Sequence, residues 1–201
     1  MSDPRTIAEF NSDGEETTPE VSSDGLTMFL ASNRTGEQGG FDTMSSRRPS
    51  RAGPWSTPVF HPELNSTFSD ASATASDDQR ILVFTSNRNG GLDLFIATRS
   101  LVTDSWGMPV PIASLNNAAE DSRAFLTSDG LSLYFSSDRA GNYDLYVSTR
   151  ASTTEPFVSI SPLAELNTML DDADPWVSPD GRHLYFMRQG PATNVLMHAT
   201  R

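Results

Sequence analysis

Four carboxylates recur at one place in the sequence. Glu16, Asp70, Asp121 and Asp172 each stand five residues after an asparagine, namely Asn11, Asn65, Asn116 and Asn167. Three of them have a second acid just before, at Glu15, Glu120 and Asp171. Gathered around one axis, such oxygens would suit a hard divalent cation such as calcium. They also have a local use, because Asp and Asn cap turns and accept backbone N–H bonds. The chain lacks the D-x-D-x-D-G ladder of a dedicated calcium loop, since Asp13-Gly14 runs into Glu15-Glu16. The capping role is therefore the expected one and the cation the alternative.

A second group is set apart by not repeating. Two residues beyond each recurring acid stand Thr18, Ser72, Arg123 and Asp174, and two further on Glu20, Thr74, Phe125 and Trp176. Strand alternation predicts that both sets face one side, opposite Pro19, Ala73, Ala124 and Pro175. A scaffold of equivalent units does not need these identities, so Glu20, Arg123, Phe125, Asp174 and Trp176 are the candidate ligand-binding residues. Charge-assisted donors beside a large aromatic face suit a polar ligand with a stackable side, such as a sugar. The competing expectation is that Phe125 and Trp176 pack between units while Arg123 neutralises the acidic ring.

Catalytic patterns are sparse. Glu20 and Asp174 could act across the axis as a glycosidase-type acid and base, but no catalytic residue is assigned. His61, His183 and His198 fall at unrelated places in the repeat, with no helical i, i+4 pair and no G-x-S-x-G elbow. The Arg-rich loop Ser45–Arg51 and the long turn from Gly36 to Asp42 read as ordinary solvated loops.

The asparagines are 54, 51 and 51 residues apart, the period of a β-propeller blade. In the third unit, Ser122–Thr127 reads as a strand, Ser128-Asp129-Gly130 as a turn and Leu131–Ser136 as a second strand. Tyr143–Thr149 makes a third strand and Phe157–Leu166 a fourth. The aspartate of the first turn is kept four times, as Asp24, Asp78, Asp129 and Asp180, and Trp55, Trp106 and Phe157 recur ten residues before an asparagine. The prediction is a single all-β domain over residues 1–201, a four-bladed propeller of four-stranded antiparallel blades. The units are 12–65, 66–116, 117–167, and 168–201 completed by 1–11. The last unit lacks its outer strand, and Thr6–Phe10 is expected to supply it and close the ring, removing exposed edges.

Composition narrows the function classes. The 26 acidic and 14 basic residues give a net charge of −12, the wrong sign for nucleic acid. Every basic residue is arginine, which excludes a Walker A lysine and Schiff-base chemistry. The absence of cysteine removes disulfides, thiol nucleophiles and thiolate metal sites, and suits a cytosolic or an exported bacterial protein equally. No run is long and apolar enough to span a membrane, and the first ten residues lack a signal-peptide layout. A monomer is expected.

The runs SSDGLTMFLASNR with GGFD, TSDGLSLYFSSDRAGNYDLYVSTR and VSPDGRHLYF, with their W..P and LN neighbours, resemble the TolB-type, WD-like propeller repeat, in the version found beside OmpA-like domains of bacterial envelope proteins. The resemblance spans nearly the whole chain, although TolB's amino-terminal domain and the OmpA-like domain are missing and four units are fewer than TolB's usual six. It implies a binding platform, periplasmic or outer-membrane associated, for a protein or glycan partner. The expected function is thus a non-enzymatic propeller that binds a protein, glycan or small polar ligand at one face. The alternative is a small carbohydrate-active hydrolase or lyase with its carboxylates at the channel mouth. No cofactor is expected beyond the calcium alternative.

Overall fold

A computed structural model describes residues 6–200 of the chain. Among them it shows strands and turns and no helix. The first sheet pairs β1 (Glu16–Val21), β2 (Thr27–Ser32), β3 (Asp42–Arg47) and β4 (Val59–Phe60) in chain order, all antiparallel. The second repeats this with β5 (Asp70–Ala75), β6 (Ile81–Ser86), β7 (Asp93–Thr98) and β8 (Val110–Pro111), and the third with β9 (Asp121–Leu126), β10 (Ser132–Ser137), β11 (Asp144–Thr149) and β12 (Val158–Pro162). The last holds β13 (Asp172–Val177), β14 (His183–Arg188) and β15 (Val195–Thr200). The innermost strands touch in order, β1 on β5, β5 on β9 and β9 on β13, which gives the four-bladed propeller arrangement.

The repeated residues each have a local task. Asp24 Oδ1 accepts the Leu26 N–H at 2.8 Å and the Ser22 hydroxyl at 2.6 Å, and Asp78, Asp129 and Asp180 make the equivalent pairs. The following residue turns through left-handed backbone at Gly25, Gly130 and Gly181 (φ 72, 71 and 69°). Gln79 adopts the same backbone at φ 52° without glycine's freedom, and its side chain bonds the hydroxyl of Thr27 in the preceding blade (2.9 Å). The asparagines act as extra peptide groups. Asn65 accepts the Thr43 N–H and donates to the Thr43 carbonyl, and Asn116 and Asn167 clamp Leu94 and Leu145 in the same way.

Arginine does the long-range tying. Arg48, Arg99 and Arg150 each donate from Nε to a carbonyl of the first turn (2.6, 2.8 and 2.7 Å) and lie 4.0–4.4 Å over Trp55, Trp106 and Phe157. A planar guanidinium does both at once, stacking flat on the ring while its edge donates to the carbonyl. The core lies between blades. Phe29 meets Leu82, Phe84 and Trp106 at one interface, and Ile81 and Val83 meet Leu126, Leu133 and Phe135 at the next.

Closure differs from the expectation. Thr6–Phe10 is a turn, with the Phe10 N–H donating to Ile7 O at 3.1 Å, just as Leu64 donates to His61 at 3.0 Å. The segment is therefore the equivalent of the turn that follows β4, and an outer strand in that register falls on residues just before it, where 1–5 lie outside the described residues. Ile7 and Phe10 instead cover Met28, Leu30 and Met44 on the outer side of the first blade. Among the described residues no strand of the first blade touches one of the last, and Leu196, the counterpart of the fully buried Leu94 and Leu145, is 73% exposed. Arg201, the expected counterpart of Arg150, also lies outside them.

The recurring acids are part of the frame. Asp70, Asp121 and Asp172 are fully buried, and Arg88, Arg139 and Arg188 of their own blades reach them, at 2.6 Å for the latter two. The same guanidinium groups hold the carbonyls of Leu64, Leu115 and Leu166 from the connecting turns. Glu16 and Arg34 make the looser first copy at 3.3 Å. Arg139→Met would strand the Asp121 carboxylate inside the protein and should cost about 3–5 kcal/mol, measured by urea unfolding. Adding Asp121→Asn should recover part of that loss, and a single variant as stable as the parent would show that the pair is not a structural tie.

Candidate functional site at the channel mouth

Every inner strand breaks its pairing at the same place. Between Thr17 and Glu20, Ala71 and Thr74, Ser122 and Phe125, and Ala173 and Trp176, the inner strand spends one residue more than its partner. The extra residue is forced to positive φ, at Thr18 (47°), Ser72 (55°), Arg123 (52°) and Asp174 (54°). These are the non-repeating positions singled out by sequence. Left-handed backbone at a non-glycine residue costs about 1 kcal/mol or more each, so the scaffold holds a strained ring of four bulges around its axis. Neighbouring strands support it: the Ser72 N–H donates to Thr18 Oγ1 (3.2 Å), Arg123 to Thr85 Oγ1 (3.0 Å) and Asp174 to Ser136 Oγ (3.1 Å).

The bulge interrupts alternation, yet Ala73 packs into the core shared with the first blade while the Thr74 hydroxyl reaches Leu126 of the third, so these two neighbours still face opposite ways. All four triplets, 18–20, 72–74, 123–125 and 174–176, line one cavity of about 340 Å³ at the axis. Pro19 and Pro175 were the available signal, because proline has no N–H for a ladder and within inner strands marks a bulge.

The structure brings Glu20, Arg123, Phe125, Asp174 and Trp176 to this cavity. Arg123 Nε lies 3.4 Å from Asp174 Oδ1, and the two side chains keep 43% and 41% of their surface in solvent. The same guanidinium sits 5.6 Å from the ring of Tyr143. Phe125 and Trp176 are tilted against each other with centroids 5.9 Å apart, and Trp176 leans on Tyr185 at 5.7 Å while remaining 40% exposed. Thr74 is spent on the frame, its hydroxyl accepting the Leu126 N–H. Glu20, Phe125 and Trp176 also wall a second cavity of about 70 Å³ toward the first turns, so they separate two spaces.

Electrostatics divides the two site carboxylates. Half-buried Glu20 has no cation within ion-pair distance among the described residues, and burial pushes its carboxyl up to about 7. Burial also raises Asp174, which touches solvent but has protein on most sides, and the charge of Arg123 opposes that rise. The carboxylates of the alternative cation site fare differently. Because each carboxylate of Glu16, Asp70, Asp121 and Asp172 is held by its own arginine and turn, the four do not converge. No cluster of three or more His, Asp or Glu placed to hold a metal occurs among the described residues.

Two side-chain pairs could not be read from the sequence. His183 Nδ1 and His198 Nε2 approach to 3.0 Å across β14 and β15, and both rings stack in line with Tyr185. Ser45 and His61 meet in the cleft between the first two blades, 2.7 Å apart. Both depend on strand register, which no spacing of isolated histidines reveals.

No protein-family model and no curated protein matches the chain. Solved structures do. The chain superposes on TolB from Acinetobacter baumannii with a TM-score of 0.64 at 17% identity, covering 96% of this chain and 42% of that one. A putative TolB from Agrobacterium tumefaciens gives 0.54 at 14%, covering 96% and 79%. A puromycin hydrolase gives 0.61 at 14%, covering 92% and 27%. The chain thus spans under half the length of the first of these, and the likeness is one of fold. It has the β-propeller fold of the TolB-type proteins.

Proposed function

We propose that the chain is a binding propeller of the cell-envelope kind, which takes a polar ligand at the channel mouth without transforming it. The observation that carries this reading is the single solvent-open cavity in which an Arg123–Asp174 pair, a half-buried acid and the exposed face of Trp176 stand together. A sugar unit, free or on a glycan, matches that set, with hydroxyls for the charged pair and a flat apolar face for the indole. A side chain of a protein partner with the same two faces is the other occupant. The resemblance to TolB-type repeats supports a platform role and a periplasmic or outer-membrane setting. Among the described residues no helix is long and apolar enough to cross a membrane.

One observation favours a second reading. Glu20 with its carboxyl carried up to about 7 is suited to donate a proton, and Asp174 shares its cavity, which together would serve a carbohydrate-active hydrolase or lyase. The fold does not choose between these, since a TolB and a puromycin hydrolase both superpose on the chain. Glu20→Gln separates them: a binding site keeps ligand, whereas an enzyme keeps ligand and loses turnover.

Trp176→Ala and Arg123→Ala should each weaken binding of a muropeptide or oligosaccharide panel by about tenfold or more in Kd, as for central interface residues, measured by calorimetry on protein of unchanged melting temperature. Unchanged affinity in both variants would move the site elsewhere. Glu20 also sets a pH dependence. Its folded pKa of about 7 exceeds the ordinary 4.5, so its contribution to stability is fully present below about 4.5 and is lost as pH rises through 7. Glu20→Gln should therefore gain on the parent in melting temperature between pH 5 and pH 8, and a constant difference across that range would show that Glu20 does not titrate abnormally.

A further inference from the structure

The cleft between the first two blades holds a second constellation, unconnected with the channel mouth. In the second and third blades the positions of Ser45 and His61 are apolar: Ile96 and Val147 stand where Ser45 does, and Ile112 and Leu163 where His61 does, while the fourth blade carries His198 in the Ser45 position. The two middle blades thus fill this spot with packing residues, and the first blade puts a hydroxyl and an imidazole there together. Ser45 lies on β3, paired with Val59 of β4, and His61 follows that strand directly. The His61 carbonyl accepts from the Leu64 and Asn65 N–H groups and from Asn65 Nδ2, so the imidazole hangs from a fixed turn.

The polar contacts run in sequence. Ser45 Oγ lies 2.7 Å from His61 Nε2, and His61 Nδ1 lies 3.6 Å from Glu63 Oε1. Glu63 Oε1 is itself held by the backbone N–H of Trp106 at 3.1 Å. Hydroxyl, imidazole and carboxylate thus meet through the two nitrogens in the order a serine nucleophile requires, with spacing in the range that tightens when substrate binds. Burial is the main reason that the imidazole of His61 is held below its ordinary range, and Arg99 and Arg47 add to it against the pull of Glu63, which keeps the ring neutral and able to accept a proton.

The surrounding space is suited to an acyl substrate. The three residues border a cavity of about 570 Å³ whose walls include Phe29, Phe60 and Trp106, and the buried indole N–H of Trp106 has no acceptor among the described residues. Arg47 and Arg99 line the same cavity and have no carboxylate partner within 4 Å among the described residues. Besides burial, the charge of Arg47 lowers the pKa of Arg99. Glu63 and Asp104 line it too and their charges act on Arg99, but neither forms an ion pair with a guanidinium group among the described residues, and two such groups beside an apolar wall fit a ligand with an anionic end.

We propose that this cleft is an acyl-transfer site for esters carrying an anionic group, with Ser45 as nucleophile, His61 as general base and Glu63 as the positioning residue. Ser45 Oγ attacks the ester carbonyl carbon as its proton passes to His61 Nε2. The tetrahedral adduct collapses, the bond to the alcohol oxygen breaks, and His61 returns the proton to that oxygen. Water then attacks the acyl-serine, again giving a proton to His61, and releases the carboxylic acid with Ser45 restored. The net change is ester plus water to acid plus alcohol. Arg47 and Arg99 hold the anionic end.

A fluorophosphonate probe on the full-length wild-type protein tests the nucleophile without any variant. Peptide mass spectrometry should find the adduct on Ser45. His61→Gln should slow labelling by about 100-fold or more, the usual worth of a general base. The parent should hydrolyse p-nitrophenyl hemisuccinate in preference to p-nitrophenyl acetate, and Arg47→Ala should reduce that preference about tenfold through a raised KM for the hemisuccinate. Glu63→Gln should lower kcat and shift its pH profile with KM unaltered. No adduct on Ser45, adducts scattered over several serines, or labelling of His61→Gln at the parental rate would each overturn the proposal.

Discussion

The structure depends on arginine meeting a buried carboxylate at the start of each inner strand. Three of these carboxylates have no solvent exposure, and removing an ion from water costs several kcal/mol, which only a close cation and further hydrogen bonds can offset. Arg88, Arg139 and Arg188 provide the charge, and the spare N–H groups of each hold the carbonyl of the turn entering the blade. One side chain thereby fixes the end of the second strand, the beginning of the first and the connection between blades. That demand suits arginine at these positions, whose planar fork aims its donors at a carboxylate and a carbonyl at once.

With the strand starts pinned and the first turns fixed by aspartate, the inner strands have one residue more than their partners can match. The surplus emerges as a bulge at the same height in all four blades. Bulges re-aim side chains, and here three consecutive residues of each strand border the axial cavity. The strain at Thr18, Ser72, Arg123 and Asp174 is borne by regular pairing on either side. A scaffold that is fourfold in its backbone thus presents a mouth with no symmetry in its chemistry: an ion pair on one side, two aromatics beside it, an unpaired acid and two small hydroxyls completing the ring.

Much of this was legible in the sequence because the repeat states it four times. Period, strand order, the Asp turn and the inner-strand position of Glu20, Arg123, Phe125, Asp174 and Trp176 follow from comparing the chain with itself. What escaped was whatever depends on register. The one-residue bulge within each inner strand escaped a reading by plain alternation, although Pro19 and Pro175 signalled it. The segment Thr6–Phe10 looked like a strand by position and is a turn, matching His61–Leu64 rather than β4. The meeting of Ser45 with His61 and of His183 with His198 rests on cross-strand pairing, which distance along the chain conceals.

The lack of contact between the first and last blades has a mechanical consequence. Among the described residues each blade leans only on its sequence neighbours, so they behave as a short linear array whose stability is a sum of blade terms and three interface terms. Middle blades lose two interfaces on opening and terminal blades lose one. Among the described residues the last blade also exposes Val195, Leu196 and Trp176. Opening free energy should accordingly rise from that end inward, which makes the half of the mouth formed by Asp174 and Trp176 the compliant jaw and the half formed by the second and third blades the rigid one.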